Sequence, residues 1–191
     1  MVTSVQAYLG LLLLFAAERC FELVLSTRNA RLARASGGVE SGRGHYPLMA
    51  LLHAALLVAC AAEVVFLNRP FPGPLGWICL GLVLGAQVLR YWAVATLGER
   101  WNTRVIVIPG AAPVTGGPYR WVRHPNYVAV VVEVAALPLV HGAWLTAAVF
   151  SAANALLLRI RIRAEEQALG PTWEREFAGR PRFVPGVRHG H

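Results

Sequence analysis

Apolar residues run along this chain in long blocks parted by short polar segments, and block length decides what each block can be. Val5 to Leu25, Tyr46 to Leu67 and Leu75 to Leu97 each reach the ~20 residues that a helix needs to cross the hydrocarbon layer. Asn126 to Val140 predicts a fourth helix, short for a full span at about fifteen residues. After a turn over Pro138 to Ala143, Trp144 to Leu169 predicts a fifth, apolar first and charged later. The last two read as a tight hairpin whose polar end emerges beside the loop that precedes it. Between the blocks lie a polar loop from Ser26 to His45, a proline-rich turn from Asn68 to Pro74 and a connector from Gly98 to Thr115. Within that connector Arg104 to Pro109 alternates and predicts a segment lying on the membrane surface. The pattern is that of an all-α integral membrane protein with about five transmembrane helices. One domain covers 1–191, with two N-terminal helices in 1–74 and the chemistry-bearing part in 75–191.

Composition sharpens this. The chain has 191 residues, 56% of them hydrophobic, which belongs in a bilayer. All eighteen basic residues are Arg and all ten acidic residues are Glu. Without Lys or Asp there is no P-loop lysine, no lysine Schiff base and no aspartate-rich prenyl-diphosphate motif. The net charge of +8 raises nucleic acid as a partner, but the placement of the arginines argues against it. Four lie in 26–45, four in 98–125 and seven from Arg159 onward, against Arg69 alone in 68–74 and none in 138–143. By the positive-inside rule the loaded side is cytoplasmic, the N-terminus outside and the C-terminus inside. The basic charge is then a topology signal, with membrane lipids as the surroundings and no nucleic acid. Cys20, Cys60 and Cys79 lack metal or redox spacing and read as small buried apolar residues, so no metal site is expected. The first apolar stretch has no basic n-region, and Glu18, Arg19 and Glu22 interrupt its end, which argues against a cleavable signal peptide.

Polar residues inside the apolar blocks are the candidates for chemistry. Glu18 and Glu22 share a helical face beside Arg19 and read as an interfacial cluster reaching for headgroups. Gln87, Arg90 and Tyr91 form one polar face of the third helix, and His53 and Glu63 lie inside the second. Glu133 shares a stripe with Asn126, Val130 and Leu137. It is either a proton acceptor or a buried partner of Arg90 or Gln87. On the fifth helix Asn154, Leu158, Arg161 and Glu165 form one stripe, with Glu166 on the adjacent face. Two adjacent carboxylates suit the two hydroxyls of a ribose and favour a cationic ligand, or else simply end a solvated helix.

One polar interruption packs aromatic rings, arginines, a histidine and two prolines together: Gly116-Gly117-Pro118-Tyr119-Arg120-Trp121-Val122-Arg123-His124-Pro125-Asn126-Tyr127. Its glycines permit a tight turn, and Pro125 suits the first turn of the helix that follows. Gly117-Pro118-Tyr119-x-x-x-Arg123-His124-Pro125-x-Tyr127, followed by Arg161-x-x-x-Glu165-Glu166-x-x-Leu169, resembles the isoprenylcysteine carboxyl methyltransferase family. These are integral-membrane enzymes related to phospholipid methyltransferases. The resemblance covers roughly residues 75 to 185. It implies methyl transfer from S-adenosylmethionine, bound in a cytoplasmic-side pocket by Gly117, Tyr119, Arg123, His124, Pro125, Tyr127, Glu165 and Glu166. The family often has Gly where this chain has Ala129, so backbone approach there is less close.

Arg161, Glu133 and His124 are the candidate catalytic residues. Arg161 neutralises Glu165 or binds a carboxylate, and Glu133 or His124 takes a proton where the acceptor is a phenol or enol. A carboxylate acceptor needs no base. Thr96-Leu97-Gly98-x-x-Trp101-Asn102-Thr103-Arg104 and Pro113-Val114-Thr115 look like a bacterial subgroup that resembles alkylresorcinol and alkylpyrone O-methyltransferases. This implies a lipophilic small-molecule or lipid substrate. Two other readings stand beside it. Membrane sterol reductases share an Arg-His-Pro-Asn-Tyr motif but use NADPH, whose 2′-phosphate Glu165 and Glu166 would repel. A scaffold or transporter would bind no nucleotide.

Overall fold

The computed structural model describes residues 2–42, 44 and 46–183. Arg43, His45 and everything past 183, including Arg188 among the arginines counted above, lie outside the described residues. Five helices dominate: α1 (Val2–Ala35), α2 (Tyr46–Phe66), α3 (Pro74–Leu97), α4 (Pro125–Leu139) and α5 (Trp144–Glu176). Three are long and apolar enough to cross a membrane: α2, α5, and α3 with the 3₁₀ turn that extends it to Arg100. α4 is apolar but short, and Glu18, Arg19 and Glu22 interrupt α1.

One expectation about the polar segments changes. The Ser26–His45 loop is helical as far as Ala35, because α1 runs on past the apolar block. Ser26 and Asn29 on that continuation are buried and meet the segment after α3. Thr103 N donates to Ser26 Oγ at 3.0 Å, and Asn29 Nδ2 donates to the Trp101 carbonyl at 2.8 Å. Arg104–Pro109 also gains a partner that its alternation alone does not predict. β2 (Val105–Val107) pairs antiparallel with β1 (Val39–Ser41), with Glu40 opposite Ile106. Arg104 and Arg34 both hold Glu40, at 2.8 and 2.6 Å.

The apolar core gathers Tyr8, Leu12 and Phe15 of α1, Leu56 and Cys60 of α2, Cys79 and Val83 of α3, Val134 and Leu137 of α4 and Leu158 of α5. Inside a bilayer such helices associate by close packing, since lipid tails are as apolar as leucine. α4 packs chiefly on α3 and then on α5. Gly76 makes the first contact close: a Cβ there would strike Phe71 and the Val140 carbonyl. Cys20, by contrast, is exposed rather than buried. Glu63 ties the α4–α5 hairpin to α2, accepting from Thr146 N at 2.7 Å and Leu145 N at 3.2 Å. It thereby satisfies free amides at the start of α5.

The Glu18–Arg19–Glu22 cluster does not sit at a helix end reaching for headgroups, since α1 continues well beyond it. It faces inward. Arg90 of α3 is 3.5 Å from Glu22 and 2.6 Å from Glu133 of α4, Gln87 donates to Glu18, and Arg19 bridges Glu22 and Glu18 at 2.8 and 3.1 Å. Buried charges persist only when paired in this way. Tyr91, the third member of the polar face read on α3, is half exposed and hydrogen-bonds Glu18 at the edge of this cluster.

Candidate active site at the loop before α4

Gly117 has φ 53, a left-handed value that glycine adopts without strain, and a Cβ there would collide with Thr96 of α3. The loop is therefore pressed against the end of α3 as it enters the 3₁₀ turn Gly117–Arg120. That turn buries Tyr119 among Ala93, Trp173 and Phe177. Burial, with Glu165 near, raises the Tyr119 phenol above its ordinary range, so it stays a neutral hydroxyl. His124 caps α4, and Pro125 starts it without wasting an amide donor. One turn on, the Tyr127 ring stacks on His124 with centroids 5.3 Å apart.

α5 brings the second set of residues to the same place. The Tyr127 hydroxyl donates to Glu165 and accepts from Arg161 Nε at 2.7 Å. His124 Nε2 lies 3.1 Å from Glu166, whose two oxygens also accept from Arg182 Nε and Nη2 at 3.0 and 2.6 Å. Gly117, Tyr119, Arg123, His124, Pro125, Tyr127, Arg161, Glu165 and Glu166 are thus assembled at one end of the bundle. Glu133 is not with them. It is buried in the ion-pair layer with Arg90, and 3.5 Å from Arg19.

Sequence reasoning missed the tail. α5 breaks at Gly170 (φ 71, ψ −170), and Pro171 starts a second leg in a new direction. That leg lays Trp173 against His124, at 5.6 Å, and stacks it on Phe177, at 4.7 Å. Beyond it, residues 180–182 run beside the loop. Arg123 N donates to the Pro181 carbonyl at 2.9 Å and His124 N to the Arg182 carbonyl at 3.2 Å. Arg123 Nε donates to the Arg180 carbonyl at 2.7 Å, and Arg180 Nη1 to the Tyr119 carbonyl at 3.0 Å. The signal was present: Gly170-Pro171 followed by aromatic residues four apart, at 173 and 177.

A cavity of about 320 Å³ is lined in part by Tyr127 and Arg161. Its polar lining includes Arg19, His53, Arg90 and Asn126, and most of the remainder is apolar. Tyr127 and Arg161 are therefore a shared wall: they carry the hydrogen bonds that lead to Glu165, and both line the cavity.

The sequence profile of the isoprenylcysteine carboxyl methyltransferase family matches residues 78–171, a stretch holding the loop, Glu133 and the Arg161–Glu166 set. The chain is 38% identical over 162 residues to the uncharacterised protein YpbQ of Bacillus subtilis, covering 83% of this chain and 94% of that one. The chain belongs to the isoprenylcysteine carboxyl methyltransferase family. An uncharacterised protein of Haemophilus influenzae is 27% identical over 154 residues, 80% of this chain and 89% of that protein. The family's members are methyltransferases, and this one carries helices long and apolar enough to cross a membrane. The matched family region begins at Ile78, in the second turn of α3, and ends at Pro171, so Trp173, Phe177 and Arg182 fall outside it.

Proposed function

We propose that this protein is an integral-membrane methyltransferase that uses S-adenosylmethionine and acts on a lipophilic acceptor, with a single domain carrying both sites. The observation that carries the reading is the shared wall: Tyr127 and Arg161 join the loop residues and Glu165 to an apolar cavity large enough for part of a lipid-like molecule.

The residues at the loop fit the cofactor's chemistry. Glu165 uses one carboxylate oxygen for Tyr127, and its other oxygen has no hydrogen-bond partner among the described residues. An open carboxylate beside Glu166 suits a hydroxyl-bearing cation. When bound, S-adenosylmethionine supplies a methyl group activated by its sulfonium. The chain's own residues do the rest. Glu165 and Glu166 hold the nucleoside end, Arg161 holds a carboxylate or keeps Tyr127 oriented, and Tyr119, Trp173 and His124 exclude water. Gly117, Arg123 and Pro125 set the loop that presents them. Glu133 serves by holding Arg90 in place rather than by meeting the acceptor.

Five crossing helices, with the N-terminus outside and the loop and C-terminus cytoplasmic, would let a water-soluble cofactor reach the loop while the acceptor enters from the bilayer. The experiment is calorimetry with S-adenosylmethionine. Glu165→Ala and Glu166→Ala should each weaken binding about tenfold or more, roughly 1.4 kcal/mol. Wild-type affinity in both variants would remove the acidic pair from the site.

A further inference from the structure

Methylating a hydroxyl requires that its proton go somewhere, and the groups first expected to take it are occupied. His124 Nε2 faces Glu166 at 3.1 Å, and Glu133 is bound by Arg90 at 2.6 Å. His53 of α2 is different. Its Nδ1 lies 2.8 Å from the Met49 carbonyl, one turn back on the same helix. A carbonyl oxygen only accepts, so Nδ1 carries the hydrogen and the neutral ring keeps a lone pair on Nε2. Among the described residues Nε2 has no hydrogen-bond partner, and His53 lines the same cavity as Tyr127 and Arg161.

From this we infer that His53 is the general base for a hydroxyl acceptor in this cavity, a phenol or enol on an apolar chain. The inference rests on the methyltransferase reading above and names the acceptor class for that site. A carboxylate acceptor would have no use for an open lone pair. The apolar chain follows from the rest of the lining: Ala16, Leu57 and the cavity rim of Cys20, Leu23, Ala50 and Ala54, all four exposed on α1 and α2. In the proton step the acceptor O–H bond breaks and its electron pair stays on oxygen. The proton adds to Nε2, giving an imidazolium whose Nδ1–H remains on Met49. The titratable and charged groups that line the cavity with the ring or act on it are Arg19, Cys20 and Glu22 of α1, Tyr46 of α2, Arg90 of α3, Glu133 and Tyr127 of α4 and Arg161 of α5.

The test needs no cofactor. A 4-nitrophenol carrying a long alkyl chain is bound to the full chain in detergent, and its phenolate absorbance is followed against pH. Probe bound to wild type should ionise at least about one pH unit lower, a tenfold shift, than probe bound to His53→Gln. Equal titration in two proteins that both bind the probe overturns the assignment. If His53→Gln does not fold, wild type carries the test alone: ionisation no lower than in empty micelles overturns it. Turnover gives a second readout. His53→Gln should lose about a hundredfold in rate on a weakly acidic phenol, within the range for general-base catalysis. The loss should nearly vanish on the nitrophenol at a pH where it is already ionised. An equal loss on both acceptors would contradict a base. Failure here with S-adenosylmethionine binding intact removes His53 only, whereas absent cofactor binding removes the methyltransferase reading and leaves the probe titration standing.

Discussion

Tyr127 holds more of this site together than any other single side chain. Its ring stacks on His124, its hydroxyl joins Arg161 to Glu165, and the residue also lines the cavity. Glu133, six residues on, belongs to a different system. It is 3% exposed and paired with Arg90, which is equally buried. Removing Glu133 leaves the buried Arg90 with only Glu22, at 3.5 Å, and losing a buried partner of this kind costs about 3 kcal/mol. Glu133→Gln should therefore lower the thermal unfolding midpoint markedly in detergent while cofactor affinity barely changes. Replacing both partners, as Arg90→Met with Glu133→Leu, should recover most of the loss, because an apolar pair incurs no desolvation penalty. A Glu133→Gln protein as stable as wild type, with turnover nonetheless abolished, would return Glu133 to the reacting groups.

At the scale of elements, the contact between the loop and the end of α3 depends on Gly117. Gly117→Ala introduces both a strained φ and a collision with Thr96. It should reduce cofactor affinity by about tenfold or more, and Thr96→Ala should recover only the steric part, since a strained left-handed residue still costs about 1 kcal/mol. Full recovery in the double variant would show that φ is not the constraint. This loop was legible in the sequence because Gly and Pro dictate backbone shape locally, and the helix after Pro125 begins where that rule puts it. What was not legible depends on partners far along the chain. Ser26 and Asn29 look like loop residues until the Trp101–Thr103 segment supplies their hydrogen bonds, which span more than seventy residues. Glu133 had two readings, and its pairing with Arg90 is visible only once α1, α3 and α4 are packed together. Trp173 and Phe177 gain meaning once Gly170 turns α5 back toward the loop. The β1–β2 ribbon likewise rests on one carboxylate. The Arg104 hydrogen bond, with Arg34, holds Glu40 below the ordinary range, so its contribution is present above the unfolded carboxylate range and is lost as pH falls through the depressed value.

Over the whole molecule, contacts sort by end. Tyr8 donates to the Leu137 carbonyl at 3.0 Å and Ser4 meets His141 at 3.3 Å, which puts the start of α1 beside the α4–α5 turn. The continuation of α1, the β ribbon, the loop and residues 180–182 gather at the other end with most of the arginines. The arginine-rich end is proposed to be cytoplasmic. Single-cysteine labelling in intact cells should find the N-terminus accessible from outside and residue 183 protected, and the same accessibility at both would refute the orientation. The central claim is that the loop end binds S-adenosylmethionine. Thermal unfolding of the purified protein with a titrated nucleotide tests it most directly, because a ligand that binds only the folded state raises the midpoint as its concentration rises. The account predicts a saturable rise with S-adenosylmethionine, none with NADPH, and none with either ligand in a Glu165→Ala/Glu166→Ala protein. A rise with NADPH and no response to S-adenosylmethionine would contradict it.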